Sequence, residues 1–426
     1  MSIKANPSSL LFLPILSLLF LSSALPSLGY GRRQQQCRRD RETRSRELEE
    51  QRDIPYYFSA ERFEYLQKTQ EGNIRALEKF SSEHLRGIEN YRLLTLEANP
   101  STFVVPQHNN AKSIVVVLRG KATITYVLGE KRQSYNLEKG DVIEIPAGAV
   151  IYLINPDKNE KLNMIILTQP VTSPGNLANY FVAGGVSFYE VFSNDVLEAA
   201  LNITREKLDQ LFAEQRQGVI LKAPQEQLMA LNSNISATKQ KGQKSAGPFN
   251  ILDQLPLYYN QFGHFLQASL KGEDISVSYA EIKSGALMVP FYNSKATAII
   301  FVVEGDGYFE MVSPCVSSQA MEGKGEETEG NEPYQQINSN VSAGDVIVLP
   351  AGSPFAILAS GNQNLIAASF TVNDKHNQRN FLAGAGNVMT QLDREAIKLC
   401  FTGSAESIES LFRNQQEAHF VSMQRL

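Results

Sequence analysis

The chain has 426 residues, too many for one ordinary domain and suited to two of about 150 to 200 residues each. Apolar residues make up 42% and charged residues 20%, and the formal net charge of −5 gives no global field for nucleic acid or an anionic membrane surface. Amides are plentiful, with 29 Asn and 28 Gln, which reads as a nitrogen store only if the fold supports it.

The N-terminus "MSIKANPSSLLFLPILSLLFLSSALPSLGY" carries Lys4, an apolar run from Leu10 to about Leu21, then small residues. That run is too short and too early for a membrane span, and Ser27-Leu28-Gly29 offers a small-x-small cleavage site. The pattern predicts a secretory signal peptide over 1–29. No later segment approaches the apolar length of a spanning helix, so no membrane partner is expected. Three N-x-S/T sequons fit the secretory route, at Asn202, Asn234 and Asn340. The three cysteines, Cys37, Cys315 and Cys400, cannot build a disulfide framework, so burial must hold the core.

Residues 31–53, "GRRQQQCRRDRETRSRELEEQRD", hold eight Arg and six acidic residues with almost nothing apolar. Such a segment buries too little surface to offset ordering entropy, and its near-balanced charge favours a disordered pro-segment over 30–53. Structure is expected to begin at "PYYFSAERFEYL". A first module then spans 54–233, a linker 234–250, and a second module 251–426 with an acidic, Gly-rich surface loop at 316–339.

The division into modules rests on a repeat. "GDVIEIPAGAVIYLIN" (140–155) returns as "GDVIVLPAGSPFAILA" (344–359). Before each copy stands a branched apolar region with Gly at a turn, Gly120 or Gly305, which predicts paired strands. Pro146 and Pro350 are expected to end the next strand, because proline cannot donate to a ladder. Downstream, "NYFVAGG" (179–185) matches "NFLAGAG" (380–386). Helical patterns follow in both copies, with Leu208, Leu211 and Phe212 matching Ile408, Leu411 and Phe412 at i, i+3, i+4. Thr204 and Ser404 stand at the matching N-cap positions. Short strands with frequent turns and two helical arms describe an all-β chain of barrels or jelly rolls.

The spacing Gly140, Pro146, Gly148, repeated at Gly344, Pro350, Gly352, resembles the second cupin motif. Together with "PYYF", "ENYRLL", "PQHNNA", "SPGNL", "APQEQLMAL" and "NFLAGAGN" in order, the chain from 54 to 421 closely resembles the vicilins, the 7S globulins of plant seeds. The resemblance implies two cupin jelly-roll β-barrel modules, each a double-stranded β-helix, related by a pseudo-dyad. It implies a seed storage protein routed to the storage vacuole, assembling as a homotrimer through its helical arms, with the six apolar residues above as interface candidates.

Enzymatic cupins hold a metal with histidines and a glutamate inside the barrel. Carried over by motif, the second-motif histidine falls on Ile151 and Phe355, and the first-motif glutamate on Ser113 and Ala298. Of the first-motif histidines, His108 survives in one module while the other has Tyr292. No catalytic residues are therefore expected, and no cofactor is required. The resemblance implies one metal alternative, copper at Cys315, His376 and Tyr57, which would give redox chemistry of the superoxide dismutase type. A small ligand in a barrel mouth is a second alternative.

Overall fold

In the computed structural model the described residues are 54–183, 185–212, 218–233, 247–314 and 334–423, without the side chains of 211 and 212. The predicted signal peptide and pro-segment lie outside them, as do Asn234, Cys315 and residues 316–333 of the expected acidic loop; its last residues, 334–339, are not loop but part of the strand Tyr334–Val341, paired with Gly307–Pro314.

Each module pairs a seven-stranded with a six-stranded antiparallel sheet. In the first, the larger sheet centres on Ala111–Arg119 and Leu162–Pro170, and the smaller on Thr102–Asn109 and Val150–Asn155. Alternate residues such as Ile74, Leu94, Leu96, Val115, Val117 and Met164 point inward and meet Ile124, Ile143 and Leu153 in one apolar core. The second module repeats the plan, with Thr297–Glu304 and Leu365–Val372 in its larger sheet and Ala286–Asn293 and Phe355–Ala359 in its smaller.

The strands on either side of Gly120 do not pair with each other, contrary to the expectation from their sequence. Ala111–Arg119 bonds to Asp141–Ile145 and Leu162–Pro170, whereas Lys121–Leu128 bonds to Val150–Asn155 in the other sheet. Gly120 is a corner at which the chain changes sheets. Its φ of +81° brings its Cα against the Lys161 carbonyl, where an added Cβ would lie 2.5 Å away. Both prolines end strands as expected, after Ile145 and after Leu349.

Five α-helices are described. Helices α1 (Asn194–Leu201) and α2 (Arg205–Phe212) form the first arm, and α3 (Gln225–Ser233) follows the strand Ile220–Lys222. Helices α4 (Arg394–Cys400) and α5 (Ala405–Arg413) form the second arm. Ser404 caps α5, its Oγ accepting the Ser407 amide at 3.2 Å, and the Thr204 carbonyl accepts the first bonds of α2. Arg394 of α4 ion-pairs with Glu406 of α5, and Asn387 Nδ2 donates to the Phe412 carbonyl, so the second arm is tied to its own module.

The backbone also corrects the alignment of the two copies. Gly148 donates to the Asn109 carbonyl and Gly352 to the Asn293 carbonyl, so those asparagines are equivalent. Asn109 faces Asn179 across the sheet while Asn293 faces Arg379. The true partner of Asn179 is thus Arg379, one residue before the match suggested by letter identity.

Candidate functional site

The GDVI phrase does more than turn the chain. Each module lends its leading segment to the other module's GDVI strand. Tyr57 and Phe58 pair with Ile347 and Val346, and Phe249 and Asn250 pair with Val142 and Asp141. Phe249 and Asn250, which composition assigns to the linker, are thus the edge strand of the first barrel.

The aspartate of the phrase holds both its own turn and the visiting arm. Asp345 Oδ2 accepts from the Ser342 amide and the Tyr57 hydroxyl, each at 2.9 Å, and Oδ1 accepts from the Ala60 amide at 2.9 Å. In the first module Asp141 Oδ2 accepts from the Glu138 amide at 2.8 Å, and Oδ1 accepts from Asn250 Nδ2 at 3.0 Å. Burial raises both carboxyls above the usual range, opposed by these same donors. Tyr57, desolvated beside Asp345, is pushed far above the ordinary phenol range and stays protonated as a donor. The glycine before each aspartate admits the arm. A Cβ on Gly140 would lie 2.5 Å from Asn250 Oδ1, and one on Gly344 would lie 3.0 Å from the Ala60 Cβ.

The barrel interiors are built for packing at the positions where enzymatic relatives would place ligands. Phe355 is buried against Phe291 and Phe309, with ring centroids 5.8 and 5.9 Å apart, and the Tyr57 ring lies beyond Phe309 at 6.2 Å. Ala298 is buried on the strand Thr297–Glu304 of the larger sheet. In the first barrel Ser113 is buried and Ile151 packs against the core. Alanine, isoleucine and phenylalanine offer no donor to a metal. His108 is half-buried with its ring stacked on Tyr180 at 5.0 Å and edge-on to Phe188, a packing role at the barrel rim. Tyr292 faces Asn380 across the sheet in the equivalent place.

Of the three copper candidates, Cys315 falls outside the described residues. His376 is exposed at a left-handed turn, with φ +64°, after the strand Leu365–Val372. Tyr57 does not fit a metal ligand, because Asp345 takes its hydroxyl and disfavours the phenolate. The tyrosine laid beside Ser313, two residues before Cys315, is Tyr56, with oxygens 3.3 Å apart. Among the described residues no group of three or more His, Cys, Asp or Glu side chains converges as a metal site.

The Cupin family model matches residues 69–209 and 249–408, one segment in each module. Vicilin Cor a 11.0101 of Corylus avellana is 43% identical over 385 residues, covering 87% of this chain and 84% of its own length. The solved vicilin of Corylus avellana matches with a TM-score of 0.79 over 87% of this chain and all of that chain. The chain belongs to the vicilins. A vicilin of Solanum melongena, described as holding different anionic ligands in structurally similar pockets, matches at 35% identity with a TM-score of 0.80, covering 87% of this chain and 98% of its own.

This vicilin also carries features its sequence did not announce. Arg379 is half-buried with its guanidinium among rings, the guanidinium carbon 4.2 Å from the Phe265 centroid and 5.3 Å from that of Phe291. Desolvation of the guanidinium holds it below the usual arginine range, and its Nε has no hydrogen-bond partner among the described residues. His419 stands close by, 4.2 Å from Tyr258 and 4.5 Å from Phe381. The arms divide the six interface candidates. Leu208 is buried within its own chain, Ile408 and Phe412 are half-buried, and Leu411 is exposed. The side chains of Leu211 and Phe212 lie outside the description. Further apolar residues stand exposed on or just before the same arms, Leu399 of α4 at 89% and Val191, at the end of a 3-10 turn before α1, at 86%. Asn202, at the left-handed C-cap of α1, and Asn340, on the strand Tyr334–Val341, are both exposed.

Proposed function

We propose that the chain is a nutrient reservoir, a seed storage globulin that holds nitrogen and carbon until germination. The observation that carries this reading is the occupation of both motif sites by packing. The GDVI aspartates clasp the partner module, and phenylalanines fill the second barrel where chemistry would need donors. The mechanism of storage is physical. Two barrels that exchange edge strands leave fewer open edges and fewer frayed ends for a protease to enter.

The signal sequence directs the chain through the secretory pathway to the storage vacuole, with Asn202 and Asn340 available to a glycan. There it assembles as a homotrimer. Leu399 and Leu411 on the helical arms, and Val191 and Phe192 just before the first of them, are large apolar side chains left exposed, the kind of surface that a symmetric, heterologous contact buries. The acidic stretch around 321–332 and the linker from 234 supply the first cuts on mobilisation, by their polar, Gly-rich composition.

The reading is tested by following the protein, fraction by fraction, through seed filling and germination. Accumulation in the vacuolar fraction of the maturing seed, then loss within the period of seedling growth, is expected. Trace amounts that stay constant through both stages would contradict it.

A further inference from the structure

The two modules finish the outward faces of their smaller sheets differently. In the first module one row across that face runs from Asn136 to Thr123, Ile154 and Phe103, each directly opposite the next. Helix α3 lies against this row. The Thr123 hydroxyl stands 2.8 Å from Asn136 Oδ1 and 3.0 Å from Asn232 Oδ1 of α3, and Gln227 and Leu231 of α3 share a small pocket with Phe103. Thr123 is 3% and Ile154 1% exposed.

The second module repeats the row as Asn340, Tyr308, Leu358 and Leu287. The turns fix the correspondence. Ile154 and Leu358 each stand six residues after Gly148 or Gly352, and Thr123 and Tyr308 each stand three residues after Gly120 or Gly305. Here the row is left open. Asn340 is exposed, Tyr308, Leu358 and Leu287 are half-buried, and Val312 on the same face is 37% exposed. Among the described residues no helix lies over them.

At the end of this open row stands a sequon, Asn340-Val341-Ser342, with Asn340 and Ser342 both exposed. Its strand, Tyr334–Val341, is an edge of the sheet, where unpaired backbone groups invite another strand. Residues directly opposite across a strand pair have Cβ atoms about 4.5–5.5 Å apart, so a sugar on Asn340 Nδ2 meets the Tyr308 ring first. Glu310 accepts from the Tyr308 hydroxyl and steadies that ring. The apolar C–H face of a pyranose packs on an aromatic face, while its hydroxyls stay in water. Asn202, by contrast, stands between α1 and α2, on an arm that the proposed trimer needs for contact.

We propose that Asn340 carries an N-linked glycan whose first sugar rests on Tyr308, covering on the second module the row that α3 covers on the first. Asn340 Nδ2 forms a bond to the anomeric carbon of an N-acetylglucosamine supplied as a lipid-linked oligosaccharide pyrophosphate. The carbon–oxygen bond to the pyrophosphate breaks, the lipid pyrophosphate leaves with the electron pair, and Nδ2 gives up one proton. The glycan also blocks strand addition at the Tyr334–Val341 edge. The proposal rests on the secretory route given above.

Glycopeptide mass spectrometry of the protein purified from mature seed tests the site. A glycan on Asn340 in most copies is expected, with Asn202 bare. A bare Asn340 would overturn the proposal. The same spectra distinguish the failure of the secretory reading, which would show as an N-terminus still within 1–29 and all three sequons bare. Hydrogen exchange tests the packing. Enzymatic removal of the glycan from the native protein should speed exchange severalfold at the amides of Tyr334–Val341, and Tyr308→Ala should abolish that difference. Equal exchange with and without the glycan would overturn the contact with Tyr308. That comparison uses the unaltered chain, so it stands even if the variant does not fold.

Discussion

The Tyr57 hydroxyl donates to Asp345 Oδ2 at 2.9 Å, joining residues 288 positions apart in the chain. Its counterpart is the bond from Asn250 Nδ2 to Asp141 Oδ1 at 3.0 Å. Each module is therefore completed by the other module's leading segment. Unfolding one barrel takes away an edge strand from its neighbour, which couples the two halves of a 426-residue chain.

The clasp gives the first prediction. Tyr57→Phe keeps the ring against Phe309 and removes only the donor to a buried carboxylate, so it should cost about 1.5–3 kcal/mol. Denaturant unfolding of Tyr57→Phe, Asp345→Asn and the double variant measures the coupling directly. Additive effects of the two substitutions would show that the bond carries no stability.

Two glycines separate backbone strain from docking of the arm. Gly148 has φ +74° with nothing within 4 Å of an added Cβ, so Gly148→Ala should cost only the left-handed penalty, about 1–2 kcal/mol. Gly140 has φ +90° and faces Asn250 Oδ1 and Leu252, so Gly140→Ala should cost clearly more. Equal losses in urea midpoint would mean that the arm does not press on this turn.

Acidity should weaken the second module through His419. Burial first, and then the nearby Arg379, hold this imidazole below its ordinary value of 6.5. Above pH 6.5 it is neutral in both states and its favourable packing is fully present. As pH falls below that value the unfolded chain takes up the proton first, so stability is lost until the folded imidazole is protonated too. The urea midpoint should fall between pH 7 and pH 5, and His419→Asn should flatten that part of the slope. A variant with the wild-type slope would assign the pH dependence to other groups.

Assembly should depend on the exposed apolar arm residues. Leu399→Asp and Leu411→Asp alter side chains that lie outward, so stability of the isolated chain should change by no more than about 0.5 kcal/mol. Light scattering after gel filtration should show a trimer for the wild type and smaller species for the variants. Trimers that survive both substitutions would move the interface elsewhere.

Much of the architecture was legible because it is local. Turn glycines, the strand-ending Pro146 and Pro350, and the apolar period of the second helix in each arm all leave marks within a dozen residues. The clasp left none. Tyr57 and Asp345 are far apart in sequence, and no pattern within "PYYF" says which barrel it will join. Gly120 read as a hairpin turn because a corner between sheets and a turn within one use the same residue. Helices α1 and α4 are short and do not show a full apolar period. Arg379 escaped notice because letter identity favoured Asn380, whereas backbone pairing with Asn293 fixes the register. Tyr56 and Tyr57 are adjacent, and only the pleat shows that one meets Ser313 and the other Asp345.

The most direct test is a digestion time course of the purified native protein with a vacuolar endoprotease, with each cut mapped by mass spectrometry. First cuts are expected around 321–332 and in the linker from 234, with both barrels persisting as one clasped body after those cuts. Early cleavage inside the barrel strands, or barrels that separate once the linker is cut, would contradict that expectation.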